Sequence, residues 1–158
     1  MRKASVPAVG MIGLVIGSGL SGYAIAAPKA VTKRPFSEVN VGAMISMTGS
    51  RFESVYRVKR SPDGGGAAIQ DGSVAGTTFP LNGSDNVRTY FADGVRITRD
   101  TFTLAPPHTD GIGAITGSGK CAGGTGVHKK EKCTYTFTGT YDLKTTVVKV
   151  EISGTDTR

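Results

Sequence analysis

From Phe36 onward, apolar and polar residues alternate in short runs, and no stretch of ten residues carries apolar side chains at helical spacing with capping signals. A period of two marks strands with one face turned inward. Glu53-Ser54-Val55-Tyr56-Arg57-Val58-Lys59 is such a run, and Ser61-Pro62-Asp63-Gly64-Gly65-Gly66 ends it as a turn. Ala67 to Ala75 reads as a strand with a turn or bulge at Asp71-Gly72. Asn86–Phe91 and Val95–Leu104 flank Ala92-Asp93-Gly94, and Asp-Gly between alternating runs is a strong hairpin signal. In the second arm Val95, Ile97 and Arg99 share one face while Phe102 and Leu104 share the other, which predicts a bulge or bend near Asp100. Ile112–Gly119 reads as a Gly-rich strand and Cys121–Lys132 as a basic loop. Thr134–Tyr141 alternates Tyr and Phe with Thr and Gly, and Thr146–Ile152 alternates valines with polar partners. With a first strand inside Val39–Thr48, about eight strands follow at 8–12-residue spacing. The pattern predicts an all-β domain, either a sandwich or an eight-stranded antiparallel up-and-down barrel. Closure into a barrel removes exposed edges and leaves an interior for side chains or one small ligand.

The first 26 residues differ. Arg2 and Lys3 precede an uncharged stretch from Val6 to Ile25, and Tyr23-Ala24-Ile25-Ala26 supplies small residues before a cleavage point. The stretch is long enough to span a bilayer, but six of its residues are Gly or Pro, which disfavours an uncleaved anchor. The expected organisation is a signal peptide over 1–26, a flexible basic leader over 27–35 and a β-barrel domain over 36–158. Removal of Arg2 and Lys3 takes the formal net charge from +7 to +5. An exported chain with two cysteines, Cys121 and Cys133, is expected to pair them as a disulfide. A metal pair or a catalytic thiol are the alternatives, but two cysteines with only His128 between them fall short of a four-ligand zinc site.

Little else carries a reaction. Gly117, Gly119, Gly123, Gly124, Thr125 and Gly126 form a Gly-rich run, but Ala114 stands where a phosphate loop needs its first glycine and no helix follows. The run therefore reads as a strand–turn junction. His108 and His128 lie in polar, loop-like contexts without metal-ligand spacing, so both are expected to be exposed, and neither a metal nor a cofactor is expected. Glu53 and Glu151 fall within strands, and a carboxyl turned inward would be desolvated and able to act as a base. Tyr90, Tyr135 and Arg96 complete the set of candidate cavity residues. Basic clusters at His128–Lys132 and at Arg51, Arg57, Lys59 and Arg60 suit an anionic envelope polymer. No aromatic residues are interleaved with them for base stacking, which argues against nucleic acid.

The segment Gly117-Ser118-Gly119-Lys120-Cys121-Ala122-Gly123-Gly124-Thr125-Gly126 resembles the G-[TS]-G-K-x-x-G-x-T-G stretch of the allene oxide cyclase and dirigent-like superfamily. The Tyr135–Tyr141 strand and a last strand ending at Thr155 are similar to those of its bacterial secreted members. The likeness covers about Gly111–Thr155, and Cys121 stands where many members carry an apolar or aromatic residue. It implies an eight-stranded antiparallel barrel with a central cavity, often assembled as a homo-oligomer. No catalytic or substrate-binding position of the plant members aligns with this chain, so none is carried over. The expected function is a secreted barrel that binds a small apolar or surface ligand. A cofactor-independent cyclase or isomerase is the alternative, and a cell-envelope interaction protein the third reading.

Overall fold

The computed structural model describes residues 32–157, so the expected signal peptide and most of the leader lie outside the described residues. Eight strands run in order: β1 (Arg34–Thr48), β2 (Arg51–Arg60), β3 (Gly66–Ala75), β4 (Leu81–Phe91), β5 (Gly94–Leu104), β6 (Ile112–Gly124), β7 (Lys132–Asp142) and β8 (Val147–Thr157). Each pairs antiparallel with the next, and β8 pairs back onto β1 to close an up-and-down barrel. A 3-10 turn over Gly126–His128 links β6 to β7. β1 starts at Arg34, opposite Asp156 of β8, so the barrel takes in the last two residues of the expected leader.

Large and small inward residues face each other across neighbouring strands. On β7, Tyr135, Phe137 and Tyr141 point inward, and opposite them β6 carries Gly119, Gly117 and Gly113. A Cβ at Gly117 would strike the Phe137 ring and the Thr101 carbonyl oxygen, and one at Gly113 would strike the Tyr141 ring. The glycine-rich run is thus the floor on which the β7 aromatics lie, a small-against-large fit that fills a narrow barrel. Asp71-Gly72 is no turn: β3 pairs with β2 and β4 without interruption, and Gly72 makes room for the Phe52 ring and Asp85.

The interior is divided along the barrel axis. At one end, Phe52, Val74, Leu81, Phe102, Leu104, Ile115, Tyr141 and Val148 form an apolar core. Toward the other end the same inward rows carry Glu38, Asn40, Asp85, Thr89, Arg96, Thr98, Asp100 and Asp156, all buried. This division corrects the reading of β5. Arg96, Thr98, Asp100, Phe102 and Leu104 lie on one continuous inward face with unbroken pairing to β4; the register shift along β5 falls between Ile97 and Thr98, on the β6 side, and does not switch the inward face. Val95 and Ile97 face outward. The apolar-inward rule fails there because the interior at that end is built from paired charges.

Candidate functional site

The apolar end holds a cup of about 140 Å³. Its walls are Phe52, Val74, Phe79, Leu81, Phe102, Leu104, Ile115 and Val148, with Met44 and Tyr141. Edge-to-face contact fixes Phe52 against Phe102, with ring centroids 5.8 Å apart, and Phe79 stacks on Tyr141 at 6.2 Å. The Tyr141 hydroxyl donates to the Ala105 carbonyl at 2.5 Å, which holds that ring upright. Met47 and Leu143, 52% and 55% exposed, form an apolar lip. Beside them Thr146 adopts a left-handed conformation at φ 58°, and its carbonyl accepts from the Met44 amide at 3.0 Å. A β-branched residue reaches this region only when its surroundings hold it there, so the lip is a built feature.

Below the cup lies a polar layer. Ser54, Tyr56 and Gln70 form the cup's floor. Tyr56 donates to the Gln70 side-chain oxygen at 2.7 Å, and the Gln70 amide donates to Asp85 at 2.7 Å. Asp85 sits directly across from Asp100, and the Tyr135 hydroxyl donates to Asp100 at 2.5 Å. Burial, reinforced by the Asp100 charge, pushes the Asp85 carboxyl up to about 7. Burial raises Asp100 to about 6 against the hydrogen bonds from Tyr135 and Thr98. Desolvation also raises Tyr56 and Tyr135, so both remain neutral donors. A further interior space of about 40 Å³ has room for about two waters.

The opposite end is closed by ion pairs. Arg96, 4% exposed, donates to Glu38 at 2.6 Å, lies 3.7 Å from Asp63 and stacks over the Phe36 and Phe91 rings. Arg34 binds Asp156 with two hydrogen bonds, the shorter at 2.5 Å, and reaches Asp63 at 3.3 Å. His128 is completely buried, with Nδ1 2.5 Å from Glu131 and its ring stacked on Phe91. The Cys121–Cys133 disulfide joins β6 to β7 at the base of the segment that carries His128 and Glu131.

Among the candidate cavity residues, Arg96 and Tyr135 point into the barrel. Glu53, Tyr90 and Glu151 do not. Glu53 is exposed beside Ser46, Tyr90 is 43% exposed and Glu151 pairs with Lys149 on the outer wall. Each occupies the outward phase of its strand. His108 is exposed, but His128 is not, because the polypeptide after Gly124 folds back across the barrel end instead of forming a solvated loop. Glu38, Gln70, Asp85, Asp100 and Asp156 were missed by sequence reasoning. Asp85 keeps the phase of Thr89 and Phe91, and Asp100 that of Phe102 and Leu104, so strand parity held the signal. A larger, more open depression of about 730 Å³ on the outer wall is rimmed by Arg51, Arg99 and Lys120, and between its exposed hydroxyl-bearing residues it reaches Asp85, Asp100 and Tyr135.

No protein-family model matches the chain, and no curated protein and no solved structure matches it.

Proposed function

We propose that this is an exported, disulfide-bonded barrel that binds a small apolar molecule in the cup at its open end. The single observation that carries the reading is the cup itself, an apolar space with an exposed apolar lip in a barrel whose other end is sealed by buried ion pairs. A dry cavity near 150 Å³ lined by Leu, Ile and Phe accepts benzene, so the ligand class is a one- or two-ring aromatic or a compact terpene-sized group. The disulfide supports an oxidising, extracytoplasmic location. The outward row of β7, Thr134, Thr136, Thr138 and Thr140, supports a wall that faces water. Kinship with the allene oxide cyclase and dirigent-like barrels belongs to the same proposal, supported by the strand order and by the Gly-rich β6 beside the aromatic–Thr β7.

Binding is favoured over catalysis by what the cup presents. Among the described residues, Asp142 is the only carboxylate lining it, and hydrogen bonds from Thr145 and the Lys144 amide hold its pKa down. Asp85 and Asp100 lie behind Gln70 and Tyr135. The experiment is titration of purified protein with indole and toluene by calorimetry, alongside Leu104→Trp, which fills the cup. Saturable binding by the wild type that Leu104→Trp abolishes, with the fold retained by circular dichroism, is the expected result. Equal binding by both proteins, or none by either, refutes the reading.

A further inference from the structure

We propose that the outer wall of the barrel across β3–β7 is a binding site for an acidic polysaccharide, a chain of sugars bearing carboxylate or sulfate groups. The site lies on the side of the barrel, in the open depression of about 730 Å³, and is separate from the cup at its end. The strand registers lay its side chains out in two outward rows. One row is hydroxyl: Ser73 stands opposite Ser84, Ser84 opposite Thr101, and Thr101 opposite Ser118. Arg51 stands opposite Ser73 and ends that row. The second row, two residues along each strand, runs from Asp71 through Asn86 and Arg99 to Lys120. Neighbouring strands are about 4.8 Å apart, so the first row offers a hydroxyl about every 4.8 Å along a path of about 14 Å.

Arg99 and Lys120 are both exposed and sit directly opposite each other on β5 and β6. Like charges opposed across a ladder repel. The ion pairs of the outer surface join Arg88 to Asp71 and Lys149 to Glu151, and Arg51, Arg99 and Lys120 enter none among the described residues. An anionic group lying across Arg99 and Lys120 gains charge-assisted hydrogen bonds from both and removes their repulsion. Of the basic clusters apparent in the sequence only Arg51 belongs here; the register brings the other two cations together. The floor calls for a donor. Asp85 is 5% exposed and borders the depression; its Oδ2 accepts from Gln70, while Oδ1 is buried without a hydrogen-bond partner. A sugar hydroxyl supplies such a donor, and a bare sulfate ion does not. The lining disfavours other partners. Among the described residues no aliphatic side chain borders the depression, whereas a docked protein or lipid surface needs an apolar centre. Its one aromatic ring, Tyr135, is turned inward onto Asp100, so no face is offered to a nucleobase. Hydroxyls beside unpaired cations match a polymer that is itself hydroxyl-rich and anionic.

The test is calorimetric titration of the purified protein with polygalacturonate and with heparin at low ionic strength. Neutral dextran and a single-stranded oligonucleotide are the comparisons. Saturable binding of at least one acidic polysaccharide is expected, with no binding of dextran and weaker binding of the oligonucleotide. Arg99→Gln joined with Lys120→Gln should weaken the binding by about 10- to 100-fold. The same pair of changes should not lower the melting temperature, because it removes a repulsive contact. Ser84→Ala joined with Ser118→Ala keeps every charge and should weaken binding by about 3- to 10-fold. Arg57→Gln joined with Lys59→Gln removes as much charge from β2 outside the depression and should leave binding unchanged. Leu104→Trp, which fills the cup, should also leave it unchanged. Failure of both acidic polysaccharides to bind the wild type overturns the proposal. So does equal weakening by the Arg57 and Lys59 changes, indifference to loss of the two serine hydroxyls, or binding of the oligonucleotide as tight as that of the polysaccharides.

Discussion

Replacing Asp85 by Asn tests whether two carboxyls face each other inside the barrel. Asp85 and Asp100 are cross-strand neighbours on the inward face, and Asp85 is raised from 3.8 to about 7. In the folded chain it keeps its proton across a pH range in which the unfolded chain has released it. The native state therefore binds more protons, and its stability falls as pH rises from about 4 to about 7. The full shift corresponds to about 4 kcal/mol at about 1.4 kcal/mol per unit. Coupling to Asp100 and residual solvation reduce this, so the expected gain for Asp85→Asn at pH 8 is about 2–4 kcal/mol. For a domain of this size that raises the melting temperature by roughly 6–15 °C. Asn keeps the acceptor that Gln70 uses and has nearly the shape of the protonated acid, so at pH 5 the variant and the wild type should melt within a few degrees of each other. Melting by circular dichroism at pH 5, 6, 7 and 8 gives both the offset and the slope. An offset that does not grow with pH, or a variant less stable than the wild type at pH 8, would refute the reasoning.

Gly117→Ala forces a methyl against the Phe137 ring and the Thr101 carbonyl; it should cost about 2–3 kcal/mol in a urea melt, and a neutral result contradicts the small-against-large fit. Arg96→Leu leaves the buried Glu38 without its cation and should destabilise by about 3–5 kcal/mol, more than any exposed-arginine control such as Arg57→Leu. Joint replacement of Cys121 and Cys133 by Ser should lower stability by about 3 kcal/mol, read as a shift of the urea midpoint.

Much of the fold was legible because most strands obey a simple parity. Tyr135, Phe137 and Tyr141 alternate with threonines, so the inward face of β7 follows from its order of residues. The β4–β5 turn at Ala92-Asp93 carries a strong local signal and lies where the chain predicts it. β5 was misread because Val95 and Ile97 are apolar and outward while Arg96, Thr98 and Asp100 are polar and inward. The satisfaction of those polar groups depends on Glu38, Asp63 and Tyr135, which lie on other strands and turns, and no local pattern announces such partners. For the same reason His128 looked like a loop residue. Only the spacing of His128 and Glu131, one 3-10 turn apart, hinted at their pairing. Membership of the cup was hidden in part: Phe79 and Leu143 come from connecting segments, whose placement depends on the closed ring beneath them.

The ring closes where β1 meets β8, from Arg34 opposite Asp156 to Ala43 opposite Val147. A chain delivered from its N-terminus forward therefore has seven strands and two raw margins until the eleven residues of β8 arrive. In that interval β1 and β7 both offer unpaired amides and carbonyls, each able to zip onto a sister molecule. The last hairpin is then the latch of assembly. Loss of Val147–Thr157 would leave a curled, sticky ribbon in place of a slightly weakened vessel, and that fate would be seen as aggregation at low micromolar concentration.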